Sequence, residues 1–117
     1  LIQVQDKLEE AELITNFIHH LQAERALIYG YVYSQGLNFG KRLENQQEMT
    51  NEAVIKLDNF QEKKKITIKE IRQFDKWQEY RNQATTLKLD TAGFDILSIS
   101  LLESLSSRVN QLANDVD

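Results

Sequence analysis

The chain has 117 residues, of which 41% are hydrophobic and 27% charged, a composition typical of one folded domain rather than of a disordered segment. Its formal net charge of −4 argues against a nucleic-acid-binding surface, which needs a basic stripe. It contains no cysteine, so disulfides, thiolate nucleophiles and cysteine metal sites are excluded.

The first predicted helix runs from about Ile2 to about Ser34. Apolar residues recur there at steps of three and four, which keeps one face towards a partner helix. That face carries Val4, Leu8, Ala11, Ile14, Ile18, Leu21, Arg25, Ile28 and Val32. An arginine on such a face has to pair with a carboxylate, extend to solvent or bind an anion, so Arg25 is the first candidate site residue.

The second predicted helix runs from about Asn38 to about Phe60. It follows Gly36, a residue that readily takes the left-handed conformation at a helix end. Its inward face is interrupted by two polar residues, Gln46 and Thr50, and consists of Phe39, Leu43, Gln46, Thr50, Ala53, Leu57 and Phe60.

The third helix is predicted to begin at Thr67, whose spacing to Glu70 is that of a capping box. Its inward face carries Ile71, Phe74, Gln78 and Arg81, with Trp77 beside it. The fourth helix follows an N-cap at Asp90 or Thr91. Its inward residues are Ser98, Leu102, Leu105, Val109, Leu112 and Val116.

These four segments predict an all-α fold, because no stretch of alternating residues is long enough for a strand. Short connections favour an antiparallel up-down-up-down four-helix bundle that forms a single domain over residues 1–117. Helices one and three would then end where helices two and four begin, which we call the distal end. The chain starts with Leu1 rather than methionine, so we expect it to be a piece of a longer protein.

Polar residues from the inward faces are predicted to meet near the distal end. At a rise of about 1.5 Å per residue, five of them fall at neighbouring depths. Glu24 and Asp95 lie at the same depth but a step off the inward faces. Two arginines without core acids would form a cationic pocket suited to a planar oxyanion. The predicted ligand-binding residues are Arg25, Arg81, Gln46, Thr50 and Ser98.

Two other interpretations concern the same region. Arg25 could pair with Glu79 or Asp95 and merely tie helices together. His20 and Glu24 lie one turn apart, but a metal needs more ligands, and His19 and His20 are the chain's two histidines. We therefore expect no metal and no cofactor. The lack of nucleophile–base or phosphate-loop motifs indicates that the chain is not an enzyme.

The segment FIHHLQAERALIYGYVYSQG resembles the first-helix signature of the nitrate- and nitrite-sensing (NIT) domain, Leu-Gln-x-Glu-Arg-Gly followed by Ser-x-Gly. LENQQEMTNEAVIKL is similar to the family's second-helix stretch, and EYRNQATTLKLDTAGFDILSISLLESL to its third-helix arginine and following helix. The chain departs from the family pattern at four positions, namely Ala26 for glycine, Gln47 for arginine, Asn51 for aspartate and Phe94 for tyrosine.

The resemblance implies a sensor of a small anion such as nitrate or nitrite, in which Arg25 and Arg81 hold the ligand. It implies a periplasmic or extracellular domain of a bacterial inner-membrane receptor, a chemoreceptor or histidine kinase, with flanking transmembrane helices. We further expect a homodimer in the full receptor, for which Tyr29, Tyr31 and Tyr33 offer aromatic surface. The alternative is a non-sensing dimerisation or spacer module whose core arginines form structural salt bridges.

Overall fold

The structure, a computed structural model, describes residues 3–116. Over this range the chain forms α1 (Val4–Tyr33), α2 (Gly40–Lys64), α3 (Phe74–Thr85) and α4 (Thr91–Asp115), and a 3₁₀ segment (Lys69–Gln73) leads into α3. None of residues 3–116 lies in a strand, so the all-α prediction is confirmed. The predicted start of the first helix at Ile2 lies outside the described residues.

The helices run antiparallel, as the bundle prediction required. Asp6 at the start of α1 pairs with Lys64 at the end of α2, with 2.9 Å between Oδ1 and Nζ. Lys7 lies 3.9 Å from Asp115 at the end of α4. The start of α1 and the ends of α2 and α4 therefore share one end of a molecule that measures 49 × 24 × 20 Å, and we call it the terminal end.

The buried seam of α1 differs from the predicted face in its first half. Val4 and Leu8 were predicted to face inward, yet they are 55% and 48% exposed. The true seam shares Ile14, Leu21 and Ile28 with the predicted face, but it also takes residues that lie one position earlier than predicted ones. It follows alternating steps of four and three through Glu10, Ile14, Phe17, Leu21, Glu24 and Ile28. Two carboxylates thus belong to the seam, which corrects the prediction that the core holds no acids.

Helix α2 buries the predicted face apart from its first residue. Leu43, Gln46, Thr50, Ala53, Leu57 and Phe60 are all buried. Phe39 is the exception, with 41% of its surface exposed. It precedes the helix and has a left-handed backbone conformation, with φ of 72°. Its ring lies against Gly30, where a Cβ would come within 2.8 Å of the ring. Because Gly30 has no side chain, the Phe39 ring can pack against the backbone of α1 outside the core.

The capping box predicted for the third helix is not formed. Thr67 is exposed, and no side chain caps either the 3₁₀ segment or α3. Glu70 instead accepts a hydrogen bond from Arg108 of α4, at 3.2 Å. Helix α3 buries Phe74, Trp77, Arg81 and Ala84, whereas Gln78, predicted to face inward, is exposed. Glu70 therefore pairs with a residue of α4 instead of capping the helix that follows it.

Helix α4 begins as predicted, with Asp90 rather than Thr91 as its N-cap. The Asp90 side chain accepts a hydrogen bond from the backbone N–H of Gly93, at 3.0 Å. A Cβ at Gly93 would collide with the Asp90 carboxylate and lie 2.6 Å from the Tyr80 hydroxyl. Phe94 then enters the core, and its ring centroid lies 5.0 Å from that of Trp77 and 5.6 Å from that of Tyr29.

This aromatic cluster joins α1, α3 and α4 close to the distal end and fixes the position of the candidate site. Trp77 and Phe94 are fully buried. A fully buried side chain of this size stabilises the fold by about 1.5–3 kcal/mol, so the surrounding backbone is held firmly. Across residues 3–116, none of the helices is long and apolar enough to cross a membrane.

Candidate functional site

Arg25 projects from α1 towards α4 and contacts a carboxylate. Its Nη2 donates to Oδ1 of Asp95 at 2.9 Å, and its guanidinium carbon lies 5.5 Å from the centre of the Tyr29 ring. Its side chain is 32% exposed. We expected an anion as the neighbour of Arg25 from the sequence, whereas the structure shows the alternative, a pairing with Asp95.

The contact between Arg25 and Asp95 leaves the guanidinium incompletely bonded. The Nε atom of Arg25 is buried and has no hydrogen-bond partner within residues 3–116. A buried donor without an acceptor costs about 1–3 kcal/mol. The Nε–H of Arg25 is therefore a donor that residues 3–116 leave unsatisfied.

Asp95 accepts two hydrogen bonds on the same oxygen. Besides Arg25 Nη2, the hydroxyl of Tyr29 donates to Asp95 Oδ1. The bond from Tyr29, then that from Arg25, lowers the pKa of Asp95 from its ordinary value. Burial, followed by the bond to Asp95, raises the pKa of Tyr29 to about 12. Asp95 is thus a carboxylate and Tyr29 a neutral phenol over the whole physiological range.

Arg81 has a different partner, Glu24, and a complete set of bonds. Its Nε and Nη2 donate to the two oxygens of Glu24, both at 2.7 Å. Its Nη1 donates to Oδ1 of Asn51 at 2.8 Å, and Trp77 Nε1 donates to Glu24 at 2.7 Å. Glu24 was predicted to lie off the inward face, but it is fully buried. Three charge-assisted hydrogen bonds offset the cost of burying it there.

Gln46 and Thr50 lie on the α1–α2 seam and bond with His20. Gln46 Nε2 lies 2.9 Å from His20 Nδ1, and Thr50 Oγ1 donates to the Gln46 carbonyl at 2.9 Å. Both side chains are buried. These contacts join α2 to α1, whereas Arg25 contacts α4.

Ser98 is buried one turn beyond Asp95 on α4. Its Oγ donates to the backbone carbonyl of Asp95 at 3.2 Å. Its hydroxyl is therefore satisfied within its own helix, directly below the carboxylate that holds Arg25.

The five predicted site residues thus fall into three groups of contacts rather than one layer. Arg25 and Ser98 meet at Asp95, Arg81 binds Glu24, and Gln46 with Thr50 bonds to His20. The two guanidiniums bind different carboxylates, although Glu24 and Arg25 are consecutive residues of α1. The structure keeps all five near the distal half of the bundle.

The sequence did not indicate Tyr29 and Asn51 as polar partners, and Glu24 was predicted to lie outside the core. Periodicity did not separate Glu24 from Arg25, because steps of three and four connect either residue to Leu21 and Ile28. No local signal marked Tyr29 as the partner of Asp95, since these residues are 66 positions apart in the chain.

A separate cleft lies between α2 and the segment that leads into α3. It has a volume of about 600 Å³. Two aspartates, Asp58 and Asp75, and one arginine, Arg72, are among its lining residues. This excess of negative charge suits an anion less well than the surroundings of Arg25 do. Among residues 3–116, no group of three or more histidine or acidic side chains is arranged to hold a metal.

A comparison with protein families matches residues 16–117 of this chain to the model described as "Nitrate and nitrite sensing" (NIT). Searches of curated proteins and of solved structures gave no match. The match includes most of α1 and all later helices, so it covers the pairs Arg25–Asp95 and Arg81–Glu24. The domain of this family is a sensor without catalytic activity. The chain therefore belongs to the nitrate and nitrite sensing family.

Proposed function

We propose that this chain is the ligand-sensing domain of a bacterial signalling receptor, and that it binds a small oxyanion, nitrate or nitrite, at Arg25. The observation that carries the proposal is the open position on the Arg25 guanidinium, whose Nε is buried without a partner among residues 3–116. The side chain is also about one third exposed, at 32%, so a solute can reach it. A guanidinium fork is the side chain best suited to a planar oxyanion.

The other predicted residues take secondary parts in this proposal. Ser98 is not offered as a direct donor, because its hydroxyl bonds to the backbone carbonyl of Asp95, and it supports α4 next to the carboxylate that holds Arg25. Arg81 contributes positive charge from the core while it remains bound to Glu24. Gln46 and Thr50 hold the α1–α2 seam behind the site through His20. Arg25 is the residue that contacts the anion first.

The location and assembly that we propose follow from the same family membership. The domain would lie outside the inner membrane, in a chemoreceptor or histidine kinase with flanking transmembrane helices. The start of α1 and the end of α4 lie side by side, joined by Lys7 and Asp115, which suits a domain inserted between two spans. Tyr33 is 71% exposed and stacks on Tyr29, which offers aromatic surface for a symmetric dimer.

The second candidate is a non-sensing spacer or dimerisation module. It is favoured by the observation that both Arg25 and Arg81 already have carboxylate partners. In that case the ion pairs fix the arrangement of the helices and no ligand is needed.

Calorimetry and thermal unfolding with nitrate, nitrite, chloride, sulfate and small carboxylates separate the two candidates. If the domain is a sensor, nitrate or nitrite raises its melting temperature by linkage. Arg25→Ala should then weaken binding at least about tenfold and leave the helical content unchanged, because one charge-assisted bond is worth about 1.5–3 kcal/mol. Arg25→Lys should recover little of the affinity, since an ammonium cannot form the fork.

Arg42→Ala serves as the control, because Arg42 is an exposed arginine of α2 that forms no ion pair within residues 3–116. It should bind as tightly as the wild type. The sensor proposal is wrong if neither nitrate nor nitrite binds, and the spacer module is then the better description.

A further inference from the structure

The pairs Arg25–Asp95 and Arg81–Glu24 use the same edge of the guanidinium in different ways. Arg81 engages both Nε and Nη2, each with its own oxygen of Glu24. Arg25 engages only Nη2 with Asp95, and its Nε stays without a partner within residues 3–116. Arg81 thus forms hydrogen bonds to its carboxylate through both Nε and Nη2. Arg25 forms one such bond, through Nη2, and its Nε remains without a partner among the residues that the structure describes.

From this difference we infer that Asp95 is a built-in competitor for the ligand, and that anion binding replaces its carboxylate on Arg25 and Tyr29. The inference rests on the function proposed above and names how the same site is regulated. A planar oxyanion can bond to Nε and Nη2 together, which Asp95 does not do in this structure. Two anions cannot share these donors, because like charges at contact distance repel each other.

Asp95 can leave its partners at small cost, whereas Glu24 cannot. The Asp95 side chain is 48% exposed, so water solvates the carboxylate once it turns away. The Glu24 side chain has no exposed surface, and separating it from Arg81 would leave a buried charge. Asp90 caps α4 independently, so departure of the Asp95 side chain leaves the start of the helix intact.

Replacing Asp95 would also loosen α4 from α1 at one end only. Within residues 3–116, the polar contacts between these helices fall into two groups. Arg25 and Tyr29 hold Asp95 towards the distal end. Glu10 holds Arg108 at 2.7 Å, and Lys7 lies beside Asp115, towards the terminal end. The anion would release the distal group and leave the terminal group as a pivot.

Such an exchange turns anion binding into a relative movement of α1 and α4. Helix displacements on the order of 1–2 Å at an interface are typical of signalling transitions. Glu24 and Arg81 keep α1 in contact with α3 throughout, so we expect the movement to be confined to α4. The resident carboxylate thereby sets both the affinity for the anion and the resting position of the helix.

The inference is tested by calorimetric titration of nitrate into the wild type, Asp95→Asn and Glu103→Gln. Asp95→Asn removes the competing charge and should raise the affinity about tenfold or more, the change that corresponds to one charge-assisted hydrogen bond. Glu103 is an exposed acid of α4 that forms no ion pair within residues 3–116, so Glu103→Gln removes the same charge elsewhere. It should leave the affinity unchanged.

Helix movement is measured separately with pairs of spin labels, which the chain accepts readily because it has no cysteine. Labels at Ala26→Cys and Ile96→Cys report on the distal end, and labels at Glu12→Cys and Asn110→Cys report on the other end. All four positions are exposed. Nitrate should shift the distal distance alone, and Asp95→Asn should show the shifted distance before nitrate is added.

The outcomes distinguish this inference from the proposed function. If nitrate binds the wild type and Asp95→Asn equally, or binds Asp95→Asn more weakly, Asp95 is not a competitor, while the sensor function stands. If nitrate and nitrite bind neither protein, the proposed function itself is wrong. An increase in affinity for Asp95→Asn without any change in the distal distance would overturn the release of α4.

Discussion

Arg81 and Glu24 form a two-point ion pair in the core, with Nε and Nη2 of the arginine each 2.7 Å from a carboxylate oxygen. Trp77 and Asn51 complete the bonding of this pair. This pair is not an empty anion pocket, because the carboxylate of Glu24 already occupies Nε and Nη2 of Arg81. It connects α1 to α3 and to α2 at once, and this makes it the polar centre of the fold.

The first prediction is that Arg81→Met destabilises the domain strongly. It leaves Glu24 buried without its cation, which should lower the free energy of unfolding by about 3–5 kcal/mol. Urea denaturation measures the change. The double variant Glu24→Leu/Arg81→Met should recover part of the loss, because it removes the unpaired charge but leaves Trp77 Nε1 and Asn51 without these partners. A loss below about 1 kcal/mol for Arg81→Met, as for an exposed pair, would contradict the assignment.

The second prediction concerns the other buried acid of α1. Arg108→Ala should lower the free energy of unfolding by about 3 kcal/mol or more, because Glu10 is 2% exposed and Arg108 Nε is its bonding partner at 2.7 Å. Lys7→Ala is the control, since its 3.9 Å contact with Asp115 is solvent-exposed and should contribute less than about 1 kcal/mol. Equal losses for the two variants in chemical denaturation would refute the prediction.

The third prediction is a raised pKa for Tyr29, readable from phenolate absorbance during alkaline titration. Burial is the larger cause and the bond to Asp95 the second, and together they bring the pKa to about 12. Asp95→Asn should lower the pKa of Tyr29 part of the way, because the contribution of burial remains. No change in this variant would argue against the bond.

The sign of the linked stability follows from the direction of that shift. The folded domain holds the Tyr29 proton more tightly than the unfolded chain, whose tyrosines titrate near the ordinary value of 10.0. The contribution of Tyr29 is fully present below that value and is lost as the pH rises towards about 12. Asp95 has the opposite effect, because its pKa is lower in the folded domain than in the unfolded chain. Its contribution to the free energy of unfolding is therefore lost as the pH falls below 3.8.

The fourth prediction concerns the start of α4. Asp90→Ala should lower the free energy of unfolding by about 1 kcal/mol, through loss of the bond from the Gly93 N–H. Asp90→Asn should be close to neutral, because asparagine caps equally well. Asp75→Ala removes an exposed acid from the first turn of α3, where no side chain caps the helix, and should cost less. Thermal unfolding of the three variants ranks these effects.

Local signals in the sequence determined much of the fold. Runs of apolar residues at steps of three and four gave the four helices, and the buried face of α2 is the predicted one from Leu43 to Phe60. Asp90 was recognisable as a cap because its partner, Gly93, is three residues away. The Leu-Gln-x-Glu-Arg stretch around Arg25 identified the family, which the match over residues 16–117 confirmed.

The choice of partners for the charged residues was decided by the tertiary structure. Glu24 and Arg25 are adjacent on α1 and lie about 100° apart around the helix, so periodicity alone placed the wrong one on the core seam. Glu24 is buried because Arg81 and Trp77, more than 50 residues away along the chain, bond to it. Arg25 turns outward to Asp95 across a separation of 70 residues. Hydrogen bonds over such separations leave no local signal, since they depend on which helices become neighbours.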